Sequence, residues 1–588
     1  MTLRFSAYLK ARWAGCVSGI LSFAILVPIA RLDPDLHHDG IMSSAAIAVS
    51  DLQIPHIDFF GQYGPVSPVL QSLLIIVGVP AVLALRLMNA LFISMSIFLL
   101  VDLGRAAPRS WGISRMSTFL AALVWLVLAD FFVGVPMLPW SSVISSFGVL
   151  LSVYLITVGV RRQEEVQGEN AREMFVGAGA VAALLLFTRL TVGAVFLIVI
   201  VSCLVLLGRS STHPRYRQFA RWFIYGALGT IGAQVTLLML TGSLTEWFQQ
   251  SVAWPLKWRS GAEEAFQPLA GLSGSVGKTQ LEIVLALAVG MSVLLLRNAS
   301  LSDRVSSRVN FALSLTAVIV GTLIGVRLYS TGSDDTSLGL SVVSAGIDYS
   351  TRGRQNLALL FVLVAAGTMI GVAALVVLCT QRWSETFLAE HFGFALFGSA
   401  AIATMSQVWP VPDSRHLWWG AALPILALTT WLGSHQRTSA VLTLFLSVPV
   451  IFASLVAFSI TRSYIALPRF EGPVDTALEG MRVGHSPAGP IDAAELGDAL
   501  SALKSIVGDD KAIFISNDGF WAGFDDSFHS LDRSYVFWGP VDPIETRLAD
   551  ATTVVIDLAL RPYFAEQLSL LEFELVADRG PLAFYKRS

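Results

Sequence analysis

The chain has 588 residues, of which 54% are hydrophobic and only 14% charged. A soluble domain carries about a quarter charged residues, so this composition indicates a polytopic membrane protein and argues against an ordinary soluble enzyme. The formal net charge of −3 gives no footprint for nucleic acid, and Cys16, Cys203 and Cys379 sit in or beside apolar runs, as small buried hydrophobes rather than a disulfide set or a zinc site.

From the N-terminus, Arg4, Lys10 and Arg12 precede an apolar run over about 13–30. The run is long for a signal-peptide core and reads as a retained first span. The excess of Lys and Arg on cytoplasmic loops orients the rest. Arginine-bearing segments at 104–116, 161–174, 209–221, 297–310, 379–391 and 433–438 are assigned to the cytoplasm. Segments 31–85, 135–141, 188–191, 243–279, 329–355, 407–417 and everything after 460 go to the other side.

Two places decide this scheme. The apolar run 175–207 is flanked by arginine at both ends and would be about 50 Å long as one helix, so it must cross twice. Its break falls at "FTRLTVG", with Arg189 at the tip of a short outer hairpin. The run 66–103 needs an odd number of crossings, so 66–84 is expected to lie in or near the outer interface and 86–103 to span. The count is then about thirteen spans, N-terminus inside and C-terminus outside.

From about 463 the texture changes, with Pro468, Gly472, Pro473, Pro487, Gly489 and Pro490 marking a linker. "DAAELGDALSALKSIVG" reads as an amphipathic helix, and "KAIFIS", "TTVVIDLAL", "FELVAD" and "PLAFYKR" as strands. The expected organisation is a polytopic α-helical domain over 1–462, with its first outer loop at 31–85, and a small extracytoplasmic α/β domain over 463–588. Neither a solenoid repeat nor an inverted hydropathy repeat is evident.

The stretch "LHHDGIMSSAAIAVSDLQIPHIDFFGQYGP" of the first outer loop, Leu36–Pro65, carries acids and histidines but no Lys or Arg. Asp39 follows the first span closely, before an interfacial helix over "IMSSAAIAVSDL". Partial burial there would raise its basicity, as a general base acting on a sugar hydroxyl requires; the same position suits a helix N-cap. Asp58 is the second candidate, as a base partner or a ligand for acceptor hydroxyls. His37, His38, Asp39, His56 and Asp58 match no standard metal-ligand spacing, although they could gather a divalent metal; no cofactor is firmly implied.

Arg189, at the outer end of a hairpin, calls for an anionic partner, and a lipid phosphate suits its planar fork; interfacial snorkelling is the plainer reading. Further outer loops add Lys257 and Arg259 in "SVAWPLKWRSG", Arg352 and Arg354 in "DYSTRGRQN", and Gln407, Asp413, Arg415 and His416 in "QVWPVPDSRHLWWGAALP". With His38, His56, Gln62 and Tyr63 they could wall a cavity for a phosphorylated lipid and a polar acceptor.

Taken together, "HHDG…PHIDFFGQYGPVSPVL", "LRLMNAL", "TRLTVG" and "QVWPVPDSRHLWW" resemble the integral-membrane glycosyltransferases of the GT-C fold, over roughly residues 10–460. The thirteen-span core with its outer C-terminal domain resembles the aminoarabinose, mannosyl and arabinofuranosyl transferases of that class. The resemblance implies a polyprenyl-phosphate sugar donor, a glycan, lipid or protein acceptor, and a bacterial plasma-membrane location. It matches Asp39 to the acidic residue that serves as base and Arg189 to the basic residue facing the donor phosphate. It implies inverting single displacement, with Arg189, aided by Arg352, Arg354 or Lys257, stabilising the leaving phosphate. The second outer loop, "VPMLPWSS", departs from many relatives by lacking a carboxylate. A lipid-linked glycan flippase, a polysaccharide polymerase and a non-catalytic accessory protein of the same fold are the alternatives.

Overall fold

The computed structural model describes most of residues 2–253, isolated positions between 360 and 375, residues 385–408 and 414–433, and much of 493–515 and 551–587. Lys257, Arg352, Arg354 and Asp413, the Gln62 side chain and the boundary at 462/463 lie outside the described residues.

The first helix, α1 (Thr2–Ala30), and α4 (Ala81–Ala106) run in opposite directions. Arg12 meets Asp102 at 3.5 Å at one end, and Arg86 donates to the Leu32 carbonyl at the other. The chain between them therefore starts and ends on the same side. There it forms α2 (Leu36–Ser50) and α3 (Val66–Ile76), neither long enough to cross hydrocarbon. This agrees with the non-crossing role expected for 66–84. The break falls at Val77–Pro80, several residues early, because Pro80 cannot continue α3 and instead directly precedes α4.

After α5 (Arg115–Val127), α6 (Ser141–Glu165) returns antiparallel to α4: Asn89 bonds the Leu138 carbonyl at one end, and Arg161 the Arg105 carbonyl at the other. The run 175–207 breaks where expected. It becomes α7 (Glu169–Leu184), a 3-10 turn at Leu185–Phe187, and α8 (Leu190–Ser210). Phe175 stacks on Phe219 at 4.2 Å and Gly179 lies against the Phe223 backbone, so α7 runs parallel to α9 (Pro214–Leu240). Arg217 donates to the Gly208 carbonyl at the tight α8–α9 turn, so α8 runs the other way and the chain reverses at Arg189.

A short helix, α10 (Leu244–Phe248), continues into a wider turn at Gln249–Ala253. Further on, α11 (Glu385–Met405) packs against α8, and α12 (Ser414–Gly433) against α5; Trp125 and Trp418 stack at 5.1 Å and exchange hydrogen bonds with each other's carbonyls.

The protein is thus a mostly α-helical, multi-pass membrane protein. Among the described residues four helices are long and apolar enough to cross a bilayer: Arg12–Ala30, Ala81–Ala106, Ser141–Glu164 and Arg217–Leu240. The expected thirteen crossings are not reached on these residues. Arg115–Val127, Leu190–Leu206 and Phe392–Met405 are apolar but shorter, and the runs over 280–380 and 439–460 fall largely outside them. Trp13, Ile20, Leu21 and Ile25 on α1, and Leu237, Met239 and Leu240 on α9, stay exposed, as lipid-facing side chains do.

At the C-terminus, α13 (Ala493–Ala502) precedes a four-stranded sheet of β1 (Ala512–Ile515), β2 (Thr553–Asp557), β3 (Phe573–Arg579) and β4 (Leu582–Arg587). All four strand segments read from the sequence form strands. The order is β1-β2-β4-β3, with β1 parallel to β2 and the other pairs antiparallel. An additional helix, α14 (Arg561–Leu570), which the sequence reading did not anticipate, joins β2 to β3. Side chains alternate between two cores. Ile513, Ile515, Val554 and Ile556 face the core that includes Leu568 of α14. Phe514 and Val555 pack with Leu500 and Leu503, and with Ile47 of α2 and Ala81–Leu83 of α4. The small domain therefore sits on the same side of the bundle as the first outer loop.

Candidate functional site

The segment Met137–Trp140 enters α6 as extended chain whose carbonyls need partners. Gln71 of α3 donates to the Pro139 carbonyl at 2.7 Å, and Asn89 of α4 to the Leu138 carbonyl at 2.5 Å. These amides, both fully buried, set Trp140 between two loop residues. His38 meets the Trp140 ring edge-on at 5.4 Å, and Tyr63 meets it edge-on at 5.4 Å from another direction. The Tyr63 ring in turn lies 5.5 Å from the Arg189 guanidinium. Arg189 also donates to the Ser142 hydroxyl, in the first turn of α6.

The Gln-Tyr-Gly-Pro turn reaches Arg189 because Gly64 lacks a side chain: a methyl group there would overlap the Phe187 carbonyl. Thr188 and Arg189 follow at the reversal, where the Arg189 amide bonds the Leu185 carbonyl at 2.8 Å. The hairpin apex and the first loop thus face one place, and that place is also the N-terminus of α6. The hydroxyls of Ser141 and Ser145, on fully buried residues of that helix, have no hydrogen-bond partner among the described residues. Ser146 donates to the Trp419 carbonyl and accepts from Gln407 at 2.9 Å.

Asp39 stands behind this surface. Its side chain and that of Arg86 are both fully buried, paired by two hydrogen bonds, Nε to Oδ1 at 2.9 Å and Nη2 to Oδ2. Oδ2 also accepts from the Asp35 amide at 2.7 Å. Burial pushes the Asp39 carboxyl above the usual carboxylate range, and the guanidinium opposes that shift. With both oxygens engaged, the carboxylate is not presented to an incoming hydroxyl.

Nor does Asp39 cap α2. Asp35 does: its side chain accepts from the His38 amide at 2.8 Å while Asp39 reaches back to the Asp35 amide, a reciprocal arrangement like a capping box. The same Asp35 Oδ1 lies 2.9 Å from His38 Nδ1. Burial raises the Asp35 carboxyl, but hydrogen bonds and charge from His38, with added charge from Arg415, bring it well below the ordinary range. Asp35 and His38 keep 16% and 26% of their side-chain area open, against none for Asp39 and Arg86.

The remaining expected site residues divide. Asp58 is exposed, and its Oδ2 accepts from the Ile54 amide at 2.6 Å, closing its own turn. His56 is buried, at positive φ, with Nδ1 3.2 Å from the Gln250 side-chain oxygen; Gln250 returns a bond to the His56 carbonyl. Burial lowers its pKa to about 4. This histidine ties the first loop to the Gln249–Ala253 turn. His416 packs edge-on against Trp419 at 4.8 Å, beside Arg415 at the start of α12. Among the described residues no group of three His, Cys, Asp or Glu side chains is placed to hold a metal ion.

Sequence reasoning passed over Arg86, Asp35, Trp140 and Ser142. Two signals marked the first pair: an arginine inside the apolar run "VLALRLMNAL", which demands an acid, and the Asp-x-x-His spacing of "DLHH", which lets an N-cap carboxylate reach the histidine of the first turn.

No protein-family model and no curated protein matches the chain. Solved structures do. ArnT from Cupriavidus metallidurans bound to undecaprenyl phosphate is 10% identical, with 98% of each chain covered and a TM-score of 0.43. The Archaeoglobus fulgidus oligosaccharyltransferase in complex with zinc and sulfate is 11% identical, with 94% of this chain and 69% of that chain covered and a TM-score of 0.49. At these values neither likeness assigns a reaction to this chain, and the functional reading rests on its own residues.

Proposed function

We propose that the chain is an integral-membrane glycosyltransferase. It moves a sugar from a polyprenyl-phosphate donor to a polar acceptor on the outer side, by single displacement with inversion at the anomeric carbon. One observation carries this reading: the Arg189 guanidinium and the His38 imidazole of the first outer loop are linked by ring contacts through Tyr63 and Trp140.

The donor phosphate sits at Arg189. The positive end of α6 and the guanidinium converge there, so an anion is attracted by both, and Ser141, Ser142 and Ser145 offer hydroxyl donors. In the transition state, negative charge grows on that phosphate, where fixed donors stabilise it most. Tyr63 and Trp140 offer aromatic faces to a sugar ring, and His38 lies against Trp140 on the same wall. The first outer loop supplies the proton acceptor. Arg105 and Arg161 meet at the opposite ends of α4 and α6, and an excess of arginine on cytoplasmic ends supports a site that opens on the outer side.

The test is transfer by purified protein in vesicles, from radiolabelled polyprenyl-phosphate sugar to cell-envelope glycan. The wild type should move label to the acceptor, and Arg189→Ala should lower kcat by about 10²–10³. Movement of intact lipid across the bilayer without cleavage would replace this reading with a flippase.

A further inference from the structure

Three buried side-chain amides around the start of α6 commit their nitrogen and leave their oxygen unpaired. Gln71 Nε2 donates to the Pro139 carbonyl at 2.7 Å, and Asn89 Nδ2 to the Leu138 carbonyl at 2.5 Å. A carbonyl accepts and does not donate, so neither amide can turn its oxygen that way. Gln407 Nε2 donates to Ser146, whose own proton goes to the Trp419 carbonyl, so the third amide is fixed in the same sense. Gln71 Oε1, Asn89 Oδ1 and Gln407 Oε1 thus remain as acceptors with no hydrogen-bond partner among the described residues. The hydroxyls of Ser67, Ser141 and Ser145 are unpartnered there too, and all six residues are fully buried. Helix α3 is turned to suit: Ser67 and Gln71, one turn apart, are buried, while Val69, Leu73 and Ile76 are exposed.

A buried acceptor left unsatisfied is costly and calls for a donor. The phosphate at Arg189 cannot be that donor, because its oxygens are acceptors themselves. Pro139, held by Gln71, and Ser142, held by Arg189, lie three residues apart, so the amides adjoin the phosphate. In a polyprenyl-phosphate sugar, the group next to the phosphate is the sugar, and its hydroxyls donate. Resting on the glycosyl-transfer reading, we propose that Gln71, Asn89, Gln407 and Ser67 form the sugar subsite, and that it takes a neutral polyhydroxylated sugar. Sugar hydroxyls donate to the three amide oxygens, and Ser67 donates to a sugar oxygen. Charge sets the class. An ammonium group on the sugar would meet the positive end of α6 and Arg189, and the buried Asp39 carboxylate is already paired with Arg86. A sugar carboxylate would meet three acceptor oxygens. A neutral sugar meets neither penalty, and the Trp140 ring, next in the chain after Pro139, suits its apolar face.

The experiment measures equilibrium binding to the full-length wild type, Ser67→Ala and Gln71→Leu in lipid nanodiscs. The probes are bare polyprenyl phosphate and the same lipid carrying glucose, galactose, mannose or arabinose as neutral sugars, or aminoarabinose or glucuronic acid as charged ones. The best neutral sugar should raise wild-type affinity over the bare lipid by about tenfold or more, and the charged sugars should not. Ser67→Ala should lose about three- to tenfold for that sugar lipid and nothing for the bare lipid. It should leave thermal unfolding of the ligand-free protein unchanged, which a structural role would not. Gln71→Leu should lose most of the sugar increment. Equal binding of bare and glycosylated lipid by wild type would mean that water satisfies the amides, and the proposal fails. A preference for aminoarabinose or glucuronic acid overturns it, as does retention of the full increment by both variants. Protein that binds the neutral-sugar lipid but transfers nothing overturns the glycosyl-transfer reading and keeps the subsite, a result distinct from the others.

Discussion

The Asp39 carboxylate and the Arg86 guanidinium form a doubly hydrogen-bonded ion pair in which neither side chain is open to solvent. Arg86 also donates to the Leu32 carbonyl. The pair thereby joins the end of α1, the first turn of α2 and the outer end of α4. Breaking such a pair leaves an uncompensated charge in low dielectric, whereas removing both charges is far milder. Asp39→Ala and Arg86→Leu should each destabilise the protein by about 3–5 kcal/mol. The double variant should recover most of that loss, as read by thermal unfolding in detergent. Full additivity of the two losses would show that the charges do not depend on each other.

Gly64 governs a second relationship. Because the Phe187 carbonyl leaves no room for a methyl group, Gly64→Ala should push the Tyr63 turn off the hairpin. The ring contact with Arg189 would go with it. The predicted outcome is weaker binding of polyprenyl phosphate by about tenfold. Tyr63→Leu, which keeps the backbone, should lose only the cation–π contribution of about 1 kcal/mol, or several-fold in affinity.

His56 gives a pH signature of stability. Its pKa in the folded protein is lowered to about 4 by burial, below its ordinary value, so the unfolded chain binds the proton more readily. The sign follows: as pH falls from about 6.5 towards 4, protonation favours unfolding. The cost builds to about 3 kcal/mol at 1.36 kcal/mol per unit. His56→Gln should flatten this part of the stability–pH curve. Asp35, with a lowered carboxyl, contributes in the same sense at lower pH: its stabilisation is present above the unfolded value and lost as acid protonates it.

The sequence was most informative where chain patterning is local. The reversal at Arg189 followed from a run too long for one crossing between two arginine-rich flanks. The non-crossing stretch ahead of α4 followed from charge bookkeeping, and the four strands from their β-branched and aromatic runs. What sequence could not resolve was which acid faces inward. Asp35, Asp39 and Asp58 share a loop and similar neighbours. Their roles part only through Arg86, a partner 47 residues away, and through a one-turn offset in where α2 begins. Trp140 was likewise invisible as a site residue, because its place depends on amides from α3 and α4 that pin the chain before it.

The claim on which the account rests is that the donor phosphate binds between Arg189 and the first turn of α6. Equilibrium binding of polyprenyl phosphate to the protein in lipid nanodiscs measures it directly, using wild type, Arg189→Ala, Arg189→Lys and Ser142→Ala. The account predicts saturable binding by wild type, a loss of tenfold or more in Arg189→Ala, partial retention in Arg189→Lys, and a smaller loss in Ser142→Ala. Equal binding by wild type and Arg189→Ala would contradict it.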